Sequence, residues 1–205
     1  MLTRVGIIRR NWVWVVAIVA AALLLSFLIR LLDTSGRPYV PPEFLKARAA
    51  GGDSAQKIIS ISQNSVVNLQ SIQKDESGGD YTAGLNLVLE EINQNNIARA
   101  NAVELSKQLG IMATDLSSVK PEAAARIGLQ AILSESQIVE GLISYNNYTY
   151  QLLDLLRTRL ERGAWSISPK QINSVISDMN SQANSINDLN SKYQSLMAQF
   201  DSLTN

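Results

Sequence analysis

The residues whose types and spacing could do chemistry fall into two neutral polar patterns. The first is the run Tyr145-Asn146-Asn147-Tyr148-Thr149-Tyr150. Tyrosine offers large contact area with a polar tip, the profile of a ligand or partner patch. Antiparallel pairing of helices brings this run level with Ile92–Asn96, so two asparagine-rich segments meet. Asn95, Asn96, Tyr145 and Tyr148 are therefore a candidate patch for a small polar ligand or a partner. The plainer expectation places Tyr145 and Thr149, one helical turn apart, on a buried seam while their neighbours reach water. The second pattern is a stripe of seven-residue spacing, Asn173, Asn180, Asn187, Gln194 and Asp201. From Lys170 to Asn205 there are 17 Ser, Asn or Gln and only five charged residues. The stripe reads equally as a surface that pairs with another chain and as a solvated face.

Most other chemistry is excluded by composition. The chain has no histidine and no cysteine, which removes disulfides, thiolate nucleophiles, structural zinc and imidazole acid–base catalysis. A helical di-metal site needs inward glutamates with Glu-x-x-His pairs. Glu90, Glu91, Glu104, Glu135, Glu140 and Glu161 are present without those histidines, and are expected to face water or pair with Arg and Lys. Gly78-Gly79 lacks the strand-before, helix-after setting of a phosphate loop. No catalytic, cofactor-binding or metal-binding residue is assigned, and no enzyme activity is expected. Eighteen Lys and Arg balance eighteen Asp and Glu, a poor basis for nucleic-acid binding, which rests on phosphate neutralisation.

The elements that would position these residues begin with a membrane segment. From Trp12 to Ile29 Ser26 is the only polar residue, and the run extends past Arg30 to Leu32. Twenty-one residues make roughly 31 Å of helix, matching a hydrocarbon core of about 30 Å. The run is too long for a signal-peptide core, and no small-x-small cleavage site follows it directly. Residues 1–11 form a short basic tail expected in the cytoplasm, and 12–32 an uncleaved signal-anchor in contact with lipid. Positive charges flank both ends almost equally, with the short all-positive tail favouring an inside N-terminus. That puts the remainder outside the cytoplasm of a plasma (inner) membrane.

Residues 33–53, with Pro38, Pro41, Pro42, Gly36, Gly51 and Gly52, read as an extended or partly helical linker. Residues 54–205 carry four helical stretches. The first covers about 54–74, capped by Asp53 or Ser54. The second covers about 80–119, with a seam of Tyr81, Leu85, Val88 and Ile92 that breaks at Asn93–Asn96 and resumes from Ala98 in alternating steps of four and three. The third covers about 121–162, between Pro121 and Gly163. The fourth covers about 169–203, with Ser168, Pro169 and Gln171 as cap, first and third helical positions. Trp165, in the turn before it, is expected to cover a core. The fold class is all-α: one N-terminal transmembrane helix followed by an antiparallel three- or four-helix bundle with long coiled-coil-like helices. The shorter first helix should cover only the half beside Ser77–Gly79, leaving the other half three-stranded or completed by the linker or by another chain.

In outline this order resembles bitopic bacterial envelope proteins. Periplasmic four-helix sensor domains look similar but add a second span and an output domain. Two functions follow: a membrane-anchored interaction, scaffold or accessory subunit acting through helix–helix contacts with a partner or another copy, or an extracytoplasmic small-ligand-binding bundle that signals through a partner. No cofactor is expected for either. If the seams are the core, Leu109→Asp or Leu196→Asp abolishes the helical signal in circular dichroism. Asn180→Arg with Asn187→Arg leaves folding intact and weakens association, and unchanged partner capture removes the stripe from consideration.

Overall fold

A computed structural model describes residues 38–205; the basic tail, the expected span at 12–32 and the first linker residues lie outside the described residues. Among the described residues every regular element is helical: α1 (Pro42–Gly78), α2 (Tyr81–Asp115), α3 (Glu122–Arg162) and α4 (Pro169–Thr204). One-turn 3₁₀ segments follow α2 at Leu116–Ser118 and α3 at Ala164–Ser166. None of these helices is long and apolar enough to cross a membrane.

Local chemistry sets most helix ends. The Asp80 side chain accepts from Ala83 N at 3.1 Å and starts α2. Ser168 and Gln171 form a reciprocal capping box around Pro169 and start α4, satisfying donors the first turn leaves without partners. Gly79, at φ 79°, ends α1 in the left-handed region, with Gly79 N bonded to Glu76 O and Asp80 N to Asp75 O, the double closure that favours glycine at this position.

The start of α1 differs from the expectation. The helix begins at Pro42, inside the stretch read as linker, and runs unbroken through Gly51-Gly52 for 37 residues. Pro41 and Pro42 sit at the cap and first position, where no amide hydrogen is needed. Gly51 is buried because a Cβ there would lie 3.2 Å from Leu105 Cδ1. Tertiary packing outweighs the glycine cost of about 1 kcal/mol each. Asp53 and Ser54 consequently lie along the helix rather than at its cap, Asp53 exposed and Ser54 buried with its Oγ bonded back to Ala50 O at 3.2 Å.

Consecutive helices pack antiparallel. Asn68 of α1 reaches Glu91 of α2, Asn95 of α2 reaches Asn146 of α3, and Gly141 of α3 faces Ile186 of α4. The Tyr39 and Lys120 backbones bond each other in an antiparallel bridge, tying the entry of α1 to the turn before α3. The seam of α2 is continuous rather than interrupted. Its buried residues are Gly84, Val88, Glu91, Asn95, Ala98, Ala102, Leu105, Leu109 and Met112, alternating steps of four and three throughout. Two polar members, Glu91 and Asn95, hold the places where the pattern seemed to stop. Tyr81, assigned to this seam, is exposed.

The larger core cluster lies at the end where α1 begins and α4 finishes. Phe44 and Phe200 stack there, ring centroids 5.3 Å apart and 18° between planes, both fully buried. The Phe200 ring seats against Gly128, where a Cβ would lie 2.8 Å from Leu116 Cδ2 and 3.2 Å from Phe200 Cε2. A smaller cluster around Ile72, Val88, Leu153 and Leu160 holds α1, α2 and α3 together at the other end, and α4 contributes nothing to it. Phe200→Ala is expected to cost about 3–5 kcal/mol in urea unfolding, against a change within about 0.5 kcal/mol for exposed Trp165→Ala. A Phe200→Ala cost below about 1 kcal/mol would remove the stack as the closing contact.

Candidate functional site

The α1–α4 seam is closed at one end and open at the other. At the closed end Arg48 of α1 donates two hydrogen bonds to Asp201 of α4, at 2.6 and 2.9 Å, beside the Phe44–Phe200 stack. Along α1 the buried residues Phe44, Ala47, Gly51, Ser54 and Ile58 keep steps of three and four, and then none is buried until Ile72. Along α4 only Met179, Leu196, Met197 and Phe200 are buried. Where α1 loses its buried seam and α4 buries only Met179, a groove of about 610 Å³ opens between them. Val66 and Leu69 of α1 and Ile172 and Ile176 of α4 form its walls, with Leu152 and Leu156 of α3 in its lining. Gln70, Gln73, Asn173 and Asn180 add a neutral amide rim. Val66 is 56 % and Ile176 39 % exposed, apolar surface that α1 and α4 do not bury against each other. Glu76 and Arg159 line the same groove and pair with each other, tying α1 to α3.

The half expected to lack α1 is instead reached by residues 42–53, read as linker, and the thinner cover is that of α4. Beside the Ser77–Gly79 turn α1 packs on α2 and α3 as expected, and the open side is the one that faces α4. Trp165 is 87 % exposed rather than over a core. It stands in the α3–α4 turn, four residues before the groove-lining Pro169.

The asparagine stripe of α4 runs along this seam. Asn173 and Asn180 line the groove, Asn187 and Gln194 are exposed on α4 outside it, and Asp201 makes the closing ion pair. The other candidate patch divides. Asn95 and Asn96 line a second pocket, of about 410 Å³, with Arg99 on α2 and Asn146, Asn147, Tyr150 and Gln151 on α3. Asn95 Nδ2 donates to the Asn146 carbonyl at 2.9 Å. Tyr145 turns the other way and lines the α1–α4 groove, where burial pushes its hydroxyl up from its ordinary value. Tyr148 is half-buried and lines neither cavity. Asn146 and Thr149, rather than Tyr145 and Thr149, are the buried pair of this run.

Two glutamates expected to face water are buried. Glu91 is 1 % exposed and accepts from Asn68 Nδ2 at 2.6 Å. Glu135 sits in α3 among Ile132, Ile138 and Val139, where Tyr193 donates to it and Arg48 is its nearby cation. Both occupy seam spacing, the one signal that marked them in the sequence. Among the described residues no three of His, Cys, Asp or Glu gather closely enough to hold a metal ion. Burial pushes the Glu135 carboxyl above its ordinary 4.5, against the opposing pull of Tyr193 and Arg48. The Arg48 hydrogen bonds hold Asp201 below its ordinary range, against the smaller effect of burial. Burial and the Glu135 carboxylate together push the Tyr193 hydroxyl up.

These shifts have opposite linkage. The Glu135 contribution is fully present below its unfolded value and lost as pH rises through its higher folded value. The Asp201 contribution is present above its unfolded value and lost as pH falls through its lower folded one. Glu135→Gln, which still accepts from Tyr193, is expected to raise stability near neutrality and to flatten the profile down to about pH 5. Urea midpoints across that range test it, and a variant uniformly less stable, with a parallel profile, contradicts it. Comparison with protein-family models, with curated proteins and with solved structures finds no match for this chain.

Proposed function

We propose that this protein is a membrane-anchored interaction subunit that receives an amphipathic helix of a partner protein in the open half of the α1–α4 seam. Residues 12–32 tether it in a plasma (inner) membrane, with the helices outside the cytoplasm. The observation that carries this reading is the parting of α1 and α4 over a groove of about 610 Å³ with apolar walls. A helix with one apolar face is not stable alone in water, so exposed seam residues favour a further helix. The groove extends from Val66 to Glu76 on α1 and from Pro169 to Asn180 on α4. At 1.5 Å per residue this is roughly 15–17 Å, about three turns of a docked helix.

Its chemistry narrows the occupant. The rim is made of amides, and the two lining charges, Glu76 and Arg159, already pair with each other. A partner helix therefore presents aliphatic residues at three- and four-residue spacing flanked by neutral polar ones, and binding depends weakly on salt. Trp165, exposed in the turn before α4, offers an aromatic contact of the kind that anchors interfaces.

A photo-cross-linking residue placed at Val66 of the full chain in its native membrane tests the reading. The expected outcome is one adduct of defined mass, other than that of two copies, retained at high salt and lost with Ile176→Glu. A cross-linker at Leu133, exposed on α3, should not produce it. Equal adducts from both positions, or an adduct with the mass of a self-pair, would overturn it.

A further inference from the structure

The second pocket, on the α2–α3 side, carries an inference independent of the groove. Its lining holds Asn95, Asn96 and Arg99 from α2 facing Asn146, Asn147 and Tyr150 from α3. Side-chain amides dominate, the only ionic group is the Arg99 guanidinium, and no carboxylate is in the lining. Arg99 has no ion-pair or hydrogen-bond partner among the described residues. The second observation concerns Asn146, one of the lining residues. Asn146 is 7 % exposed, and its Nδ2 is a fully buried donor with no hydrogen-bond partner. A buried amide donor left without a partner carries its desolvation cost uncompensated, and such a group is normally satisfied by water or by a ligand. The neighbouring amide donor, Asn95 Nδ2, is already committed to the Asn146 carbonyl and fixes the two helices at this level.

We infer that this pocket binds a small carboxylate-bearing molecule, with Arg99 taking the carboxylate and the asparagine amides taking its remaining polar atoms. Guanidinium and carboxylate match as a planar, two-bond pair. The amides supply both donors and acceptors, so hydroxyl or amino groups on the same molecule find partners. A volume of about 410 Å³ falls in the range of small-molecule sites, roughly 300–1,000 Å³. The orphan Asn146 donor favours an acceptor-rich ligand over a cationic or apolar one. A surface dimple that merely holds solvent has no requirement for Arg99.

Thermal unfolding of the full chain in detergent, titrated with acetate, succinate, L-malate, L-glutamate and inorganic phosphate, tests this. A saturable rise in midpoint with at least one carboxylate is expected. Arg99→Gln, at an exposed position, should weaken that binding at least tenfold without changing the unliganded midpoint. Asn146→Leu should abolish binding while leaving the unliganded midpoint equal or higher, because it removes the orphan donor. A saturable response to phosphate equal to that of every carboxylate would show a general anion site and overturn the assignment. So would the absence of a saturable shift across the panel, or a shift unchanged in Arg99→Gln. Cross-linking at Val66 reads the other face of the molecule, so the groove and this pocket succeed or fail separately.

Discussion

Everything distinctive in this molecule depends on how α4 meets α1. α4 packs against α3, as α1 packs against α2, but the two outer helices grip each other at one end only. Phe44 and Phe200 stack fully buried there, and Arg48 forks onto Asp201. The weights of these two contacts differ. The ion pair keeps about a third of each side chain in water, and exposed pairs contribute about 0.2–1 kcal/mol. Burying two phenylalanine rings is worth several times more. The ion pair therefore directs the closure, and the rings hold it. Toward the other end the aliphatic residues of both helices part, and the space left between them is a groove with apolar walls and an amide rim.

Polar residues at seam positions are the second theme. Glu91 and Asn95 keep the four-and-three alternation of α2 without apolar side chains, and each meets a neighbouring helix through an amide: Asn68 of α1 donates to Glu91, and Asn95 donates to the α3 backbone. Buried polar groups of this kind cost stability against an apolar residue of the same shape and can fix which levels of two helices align. The pattern repeats at the closed end, where Glu135 takes Tyr193 as donor and has Arg48 nearby. The core is thus a stack of apolar levels separated by hydrogen-bonded ones, and the α2–α3 pocket borders the Asn95 level.

Much of this was readable from the residues. Ser168-Pro169-x-Gln171, Asp80 and Gly163 mark helix ends by local chemistry that tertiary structure does not alter. The meeting of the two asparagine-rich segments follows from short turns and antiparallel order. The beginning of α1 was not readable, because Pro41-Pro42 and Gly51-Gly52 carry the same local signals in a linker as in a helix start and a close helix crossing. What decides between them is Leu105 packing onto Gly51, a contact some fifty residues away in the chain. Glu91 and Glu135 were hidden by their chemistry rather than their position: a search for apolar periodicity skips a carboxylate even on the right face. Tyr145 and Asn146 show the limit of such reasoning, since adjacent residues point about 100° apart on a helix and a small rotation of α3 exchanges which of them is buried.

The placement of the single closing contact also gives the molecule a mechanical grain. α1 begins and α4 finishes side by side, while the groove lies 22 or more residues further along α1, roughly 33 Å or more along its axis. A tug that separates those two neighbouring ends peels the outer helices apart, and the aromatic stack with its Arg48–Asp201 pair takes the load first. A tug between the start of α1 and the groove end of α4 runs lengthwise instead. It slides α1 along α2 and spreads the load over every apolar and hydrogen-bonded level at once. The same contacts therefore resist spreading locally and stretching collectively, which makes the response to force depend on its direction.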